Sequence, residues 1–210
     1  MGLVEIALII GFFLSFLMAI ALGGNDAATP TETAVGARVL SVKQAVTMFT
    51  IFATLGALTQ GFMVMKTIGT GIIPSTNLLG AIAAVLSAFI WITFCNVYGL
   101  EISVTHSIIG SILGYALAAY GISGIKWDLI QSVFISWVAS PLLSALVAFL
   151  LYKLLAAVVA RHNAINRAMP LLLKVALCYS AYAFGSNDIA NATGVYVTVA
   201  IVVLGSPPEF

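Results

Sequence analysis

Two aspartates stand in parts of the chain that otherwise carry almost no charge. Asp26 closes an apolar run that opens at Leu3, and Asp188 has apolar sequence on both sides. Each follows an asparagine. Ala21-Leu-Gly-Gly-Asn-Asp-Ala-Ala-Thr-Pro-Thr and Ala183-Phe-Gly-Ser-Asn-Asp-Ile-Ala-Asn-Ala-Thr align without a gap at an offset of 162, sharing Ala, Gly, Asn, Asp, Ala and Thr. A carboxylate surrounded by hydrocarbon loses its hydration, so ionisable residues in such runs mark ion and substrate pathways. Repetition of the unfavourable element at matched spacing points to two equivalent half-sites. A polar turn at a membrane surface would account for Asp26 taken alone, but the flanks of Asp188 and the repeat argue against that reading for the pair.

The elements that position these residues are membrane spans. Hydrophobic residues make up 62% of the 210, mean hydropathy is +1.15, and only 7% are charged, against about a quarter in a soluble domain. Water is therefore not the main solvent. The net charge of +1 and the scatter of the eight Lys and Arg leave no basic stripe for nucleic acid. Cys95 and Cys178 are isolated in apolar runs and read as packed thiols rather than a disulfide framework or a zinc site. Apolar runs extend over Leu3–Leu22, Ala45–Met65, Leu78–Leu100, Ile102–Ile122 and Leu129–Val159, with a last one from Pro170 to Leu204. The first lacks a basic start and a small-residue cleavage site, so it reads as mature structure rather than a signal peptide. Leu171–Leu204 as one helix would be about 50 Å long, well beyond a bilayer core of about 30 Å. A break is predicted at Gly185-Ser186-Asn187-Asp188, where a glycine and polar side chains interrupt the run.

Secondary transporters often place interrupted helices from two inverted repeats against each other. Inversion needs an odd number of crossings between the copies, and five full spans starting at residues 3, 45, 78, 102 and 129 supply it. If Ile102–Ile122 were a re-entrant hairpin instead, four crossings would remain. With full spans, Arg38, Lys43, Lys153, Arg161 and Arg167 share one side and Lys66 and Lys126 the other; with that hairpin the split becomes three to four. The positive-inside rule favours the first arrangement, with residues 153–167 cytoplasmic. The expected organisation is a first repeat over 1–152, a basic polar linker over 153–169, and the start of a second, incomplete repeat over 170–210.

These residues resemble the inorganic phosphate transporter (PiT) family of cation-coupled phosphate permeases, whose halves each carry a Gly-x-Asn-Asp-x-x-Asn-Ala signature. Gly185-Ser186-Asn187-Asp188-Ile189-Ala190-Asn191-Ala192 matches every element, and Gly194 continues the pattern. The first copy diverges: Thr29 stands for the second Asn, and Pro30 and Glu32 follow. Ser103-Val104-Thr105-His106-Ser107-Ile108-Ile109-Gly110 is similar to the family's Pro-x-Ser-x-Thr-His motif at the tip of a re-entrant hairpin, with Glu101 at the proline position, and Ser136-Trp137-Val138-Ala139-Ser140-Pro141-Leu142 to the helix after it.

The resemblance implies an all-α, multi-pass protein of the cell membrane: an inverted-repeat secondary transporter with broken helices. It implies symport of phosphate with Na⁺ or H⁺ by alternating access, no enzyme activity and no resident cofactor. Asp26 and Asp188 with the amide oxygens of Asn25, Asn187 and Asn191 are the implied Na⁺ ligands. Ser103, Thr105, His106 and Ser107, with Asn25 and Asn187, are the implied phosphate-binding residues. His106 reads equally well as a hydrogen-bonded packing residue, and Gly110 and Gly114 as a close-packing pair. Phosphate is repelled by two nearby carboxylates, and no Lys or Arg lies in these motifs, so bound cations and neutral donors must hold it. Glu101 and Glu32 add protonatable groups that either couple protons or replace a lost ligand. The partners expected are phosphate, the cation, the bilayer, and a second copy or a separate chain completing the second repeat. Two alternatives stand beside this: a non-transporting half or subunit of a phosphate or sulfate permease, and, remotely, an intramembrane aspartyl protease, for which no Gly-x-Gly-Asp sequence is found.

Overall fold

The computed structural model describes residues 2–71, 78–159 and 163–204, and among these it is almost entirely helical. The order is α1 (Leu3–Asp26), α2 (Ala28–Gly36), α3 (Val42–Gly71), α4 (Leu78–Val97), α5 (Val104–Tyr120), a short 3₁₀ turn (Ile122–Gly124), α6 (Trp127–Val159) and α7 (Asn163–Leu204). Among the described residues, five helical stretches are long and apolar enough to cross a bilayer: Leu8–Gly36, Val42–Phe62, Gly80–Val97, Ile130–Val159 and Arg167–Gly194. The chain is a multi-pass membrane protein. Ile130 at the start of α6 is buried in the core, but beyond it Leu142, Leu146, Phe149 and Leu150 face outward, as residues solvated by lipid do.

The helix grown from the Ile102–Ile122 run has 17 residues, about 25 Å, and is not among the five candidate spans. It folds back on α4 instead. Gly99 at φ +66° takes the left-handed conformation that ends a helix, and Leu100 N–H reaches back to the Cys95 carbonyl at 2.9 Å. Ser103 then caps α5, its hydroxyl accepting the His106 N–H at 3.3 Å. Both arms of the hairpin are therefore α4 and α5, with the tip at residues 98–103, whereas the sequence reading sought the hairpin within 102–122 alone. Its arms pack on α1 through Met18, Ala21, Leu22, Ala88, Ile92, Ile108 and Ile112, which form the main core.

The predicted break at Gly185–Asp188 is absent: α7 runs through it without interruption. Two of the polar side chains there bond along the helix, Ser186 donating to the Tyr182 carbonyl at 2.9 Å and Asn187 to Asp188 at 3.3 Å. The irregularity falls in the first copy instead, at Ala27 between α1 and α2. The 153–169 segment is likewise mostly helix, closing α6 and opening α7, with 160–162 outside the described residues. Both cysteines are free, Cys95 buried and Cys178 half-buried.

Candidate functional site

The site assembles where the hairpin tip meets the two Asn-Asp copies. On α1, Asn25 commits both ends of its amide to the tip. Its nitrogen donates to Asn96 Oδ1 at 2.6 Å and to the Leu100 carbonyl at 3.0 Å, and its oxygen accepts the Ile102 N–H at 3.0 Å. Asn96 in turn donates to the Ala21 carbonyl at 2.7 Å. An amide matches the donor and acceptor of an exposed peptide unit, so Asn25 does for the turn what a neighbouring strand would do. Asn25→Ala leaves the Ile102 N–H and the Leu100 carbonyl unpaired in a part-buried place, each at about 1–3 kcal/mol. Thermal unfolding in detergent should show the largest drop for this variant among alanine substitutions of the motif asparagines.

On α7 the helical spacing i, i+3 sets Asp188 and Asn191 on one face. Asn191 Nδ2 donates to Asp188 Oδ1 at 3.0 Å and to Thr105 Oγ1 at 2.9 Å. Asp188 is 7% and Asn191 2% exposed, yet Asp188 Oδ2 and Asn191 Oδ1 have no hydrogen-bond partner. Buried acceptor oxygens without a partner on one helix face are unfavourable by themselves and are suited to a cation.

A cavity of about 450 Å³ opens at this junction, lined by Asp26, Thr29, Glu101, Ser103, Thr105, Asn187 and Asp188 with Ile102, Val104 and Phe184. All its polar groups are oxygens or amides; no Lys, Arg or His is among the lining residues. Carboxylate, hydroxyl and amide oxygens of this kind are ligands for hard cations rather than for metals that prefer thiolate or imidazole. Thr105 accepts from Asn191 and keeps its own proton free to donate into the cavity.

The structure divides the expected phosphate ligands. Ser103, Thr105 and Asn187 line the acidic cavity, whereas His106 and Ser107 line a second one of about 720 Å³ with Ser87, Trp91 and Ser111; Ser103 borders both. The His106 ring lies on Trp137 with centroids 3.8 Å apart, and its Nδ1 pairs with Ser103 Oγ. Ser107 donates to the Ser103 carbonyl at 3.0 Å. His106 therefore touches the site through Ser103, between the packing and ligand readings. Asn25 braces the hairpin and does not line the cavity, and exposed Glu32 lies outside both cavities, while Glu101 is a wall of the acidic one. Sequence reasoning passed over Asn96, although a lone amide at the end of an otherwise apolar run was a signal, and Phe184, which looked like any other core aromatic.

The model of the Phosphate transporter family matches residues 22–175, nearly three quarters of the chain, from Leu22 of the first motif copy through the hairpin and α6. The chain belongs to the phosphate transporter family. It is 42% identical over 199 residues to a candidate phosphate permease of Pyrococcus horikoshii, a match covering 91% of this chain and 47% of that protein. It is 36% identical over 162 residues to the sodium-dependent phosphate transporter 1 of Mus musculus, covering 73% of this chain and 24% of that one. A solved structure titled the sodium-dependent phosphate transporter superposes with a TM-score of 0.83 at 26% identity, covering 97% of this chain and 70% of that chain. The chain spans about half the length, or less, of the curated relatives it matches. Membership of a transporter family places it outside the enzymes, so the two aspartates are not a protease pair.

Proposed function

We propose that this chain moves inorganic phosphate across the cell membrane together with a cation, by alternating access at the cavity between the two Asn-Asp helices and the hairpin tip. The observation that carries the reading is the convergence of both motif copies on one cavity lined by Asp188, whose buried Oδ2 has no partner, and by no basic side chain; Asn191 stands behind that wall, bonded to Asp188 and Thr105. Cations at Asp26, Asp188, Asn187 and Asn191 neutralise the wall. The anion then sits against them, held by the hydroxyls of Ser103 and Thr105 and the amide of Asn187. Without cations, a phosphate 4 Å from one carboxylate meets about 4 kcal/mol of repulsion per unit charge at an effective dielectric of 20. That repulsion makes binding of the two species mutually dependent, which is the basis of symport. The names of the relatives favour Na⁺ as the cation and phosphate over sulfate. Radiolabelled phosphate uptake into proteoliposomes with an inward Na⁺ gradient, with sulfate as competitor, tests both. No uptake above that of empty liposomes, with or without a proton gradient and with or without a coexpressed partner chain, would sink the reading.

We read the copies as parts of an inverted repeat. With α4 and α5 paired as one hairpin that returns to its own side, the crossings between the copies are those of Leu8–Gly36, α3 and α6. Three is odd, as inversion requires. Arg38, Lys43, Lys153, Arg161 and Arg167 then share one face, with Lys66 and Lys126 opposite. The five-to-two charge bias therefore survives the hairpin, because both of its arms are used. The working unit contains a second copy or another chain beside this one, a reading supported by the greater length of the relatives. Native sizing together with uptake by the chain alone and coexpressed with a candidate partner decides this.

If protons replace or accompany Na⁺, the carboxylate placed to carry them is Glu101 rather than Glu32, because only Glu101 lines the cavity. Uptake by the wild type then rises as external pH falls, and Glu101→Gln flattens that profile. A profile unchanged by the substitution removes Glu101 from the coupling.

A further inference from the structure

We propose that Thr29 and Glu101 are positioning residues, forming the first copy's grip on the hairpin tip as the counterpart of the second copy's Asn191–Thr105 grip. Its consequence for cation binding rests on the reading of the cavity given above. The offset of 162 that aligns the two copies sets Thr29 opposite Asn191. In the fold these matched residues do the same thing from two sides of one loop. Asn191 Nδ2 donates to Thr105 Oγ1, and Thr29 Oγ1 donates to a carboxylate oxygen of Glu101. The threonine hydroxyl is shorter than an asparagine amide, so the longer arm comes from the tip: a glutamate reaches where a shorter side chain at 101 would leave the hydroxyl without this acceptor. The backbone on either side of Glu101 is already fixed, since Asn25 holds the Leu100 carbonyl and the Ile102 N–H. What remains free at the tip is the direction of the 101 side chain, and the bond to Thr29 sets it. It keeps the carboxylate on the α2 side of a cavity that already contains Asp26 and Asp188.

The two grips differ in burial. Asn191 is 2% exposed, whereas Thr29 and Glu101 are both exposed. Water competes for the second bond and not for the first. The tip accordingly releases from α2 before it releases from α7, and the cavity opens on the Thr29 side with Asn191–Thr105 acting as the hinge.

Hydrogen–deuterium exchange of the tip amides in the full chain, reconstituted in nanodiscs, tests this without reference to transport. Thr29→Val and Glu101→Ala should each speed exchange at residues 100–104 about fivefold, the loss expected for one hydrogen bond. The double variant should be no faster than either single one, because one bond is removed in all three. Thr29→Ser and Glu101→Gln, which keep donor and acceptor, should exchange like the wild type. Should Glu101→Ala fail to fold, Thr29→Val removes the same bond from the other end. A second measurement asks what the grip does: Thr29→Val changes no charge, yet should lower the apparent Na⁺ affinity, read as the Na⁺-dependent rise in thermal midpoint, with Thr29→Ser restoring it. Wild-type exchange in Thr29→Val, or Glu101→Gln as fast as Glu101→Ala, overturns the grip. A wild type whose midpoint ignores Na⁺ overturns the cation-site reading instead, while the exchange result still decides the grip.

Discussion

Asp188→Asn should reduce Na⁺-driven phosphate uptake at least about 100-fold while leaving the ion-free protein no less stable. Asparagine is isosteric with aspartate and retains an oxygen to accept the Asn191 amide, so the helix face and its link to Thr105 persist. What disappears is the negative charge beside a buried oxygen that has no partner in the protein. A cation about 4 Å from that charge gains about 4 kcal/mol at an effective dielectric of 20, equivalent to about three orders of magnitude in affinity. In the absence of a cation the same charge is unpaired inside the fold, and its removal relieves a penalty. The two effects have opposite signs, which makes the experiment decisive. Purified Asp188→Asn should show a thermal midpoint at or above that of the wild type without Na⁺ and should lose the rise that Na⁺ gives the wild type. A variant that unfolds more readily in both conditions would assign Asp188 to structure alone, and one that keeps its Na⁺ response would place the cation elsewhere.

That Asp188 is a candidate site residue was legible from sequence, because a charge flanked by apolar residues and repeated at a fixed offset has few structural explanations. The convergence of Asp26, Asp188, Ser103 and Thr105 on one cavity followed the motifs as well. The failures have a common cause. Composition reveals which residues are out of place in lipid, but not which neighbour satisfies them. Asn25 and Asn187 are the same residue at the same place in the repeat, yet one is consumed by the hairpin backbone while the other lines the cavity. His106 sits in the motif one residue from Thr105, but the 100° step of the helix turns it toward Trp137 and the other cavity. The pairing of α4 with α5 was not legible because hydropathy does not show which apolar runs fold against each other: α4 is long and apolar enough to span, and it packs against α5. The turn between them is set by Gly99 and the Asn25–Asn96 bonds, neither of which alters an apolar window.

Gly185 was read as a helix breaker, and the opposite behaviour is expected of it. The glycine lies inside an unbroken helix, where its lack of a side chain lets α7 approach α3: a Cβ at 185 would fall against the main-chain carbonyl of Ala53. Gly56 on α3 meets the Tyr182 carbonyl in the same way, with Ser186 Oγ 2.9 Å from the added carbon. Side chains can rotate out of such a contact; a main-chain carbonyl within a helix cannot, so the helices must part. Forcing an extra carbon into a packed interface commonly costs about 1–3 kcal/mol, and more when nothing can yield. Had Gly185 been selected for flexibility, alanine would reduce the freedom of the unfolded chain and stabilise the helix by about 0.4–1 kcal/mol. The sign of the change in thermal midpoint for Gly185→Ala therefore separates the two roles, and a fall is expected. Gly185→Val and Gly56→Val should fall further or fail to accumulate in the membrane, and Ala53→Gly should not rescue them, because the obstacle is the Ala53 carbonyl rather than its methyl group. Since Asp188 stands three residues from Gly185 on the same helix, any Gly185→Ala protein that folds should also bind Na⁺ more weakly than the wild type, through displacement of Asp188 from the hairpin tip.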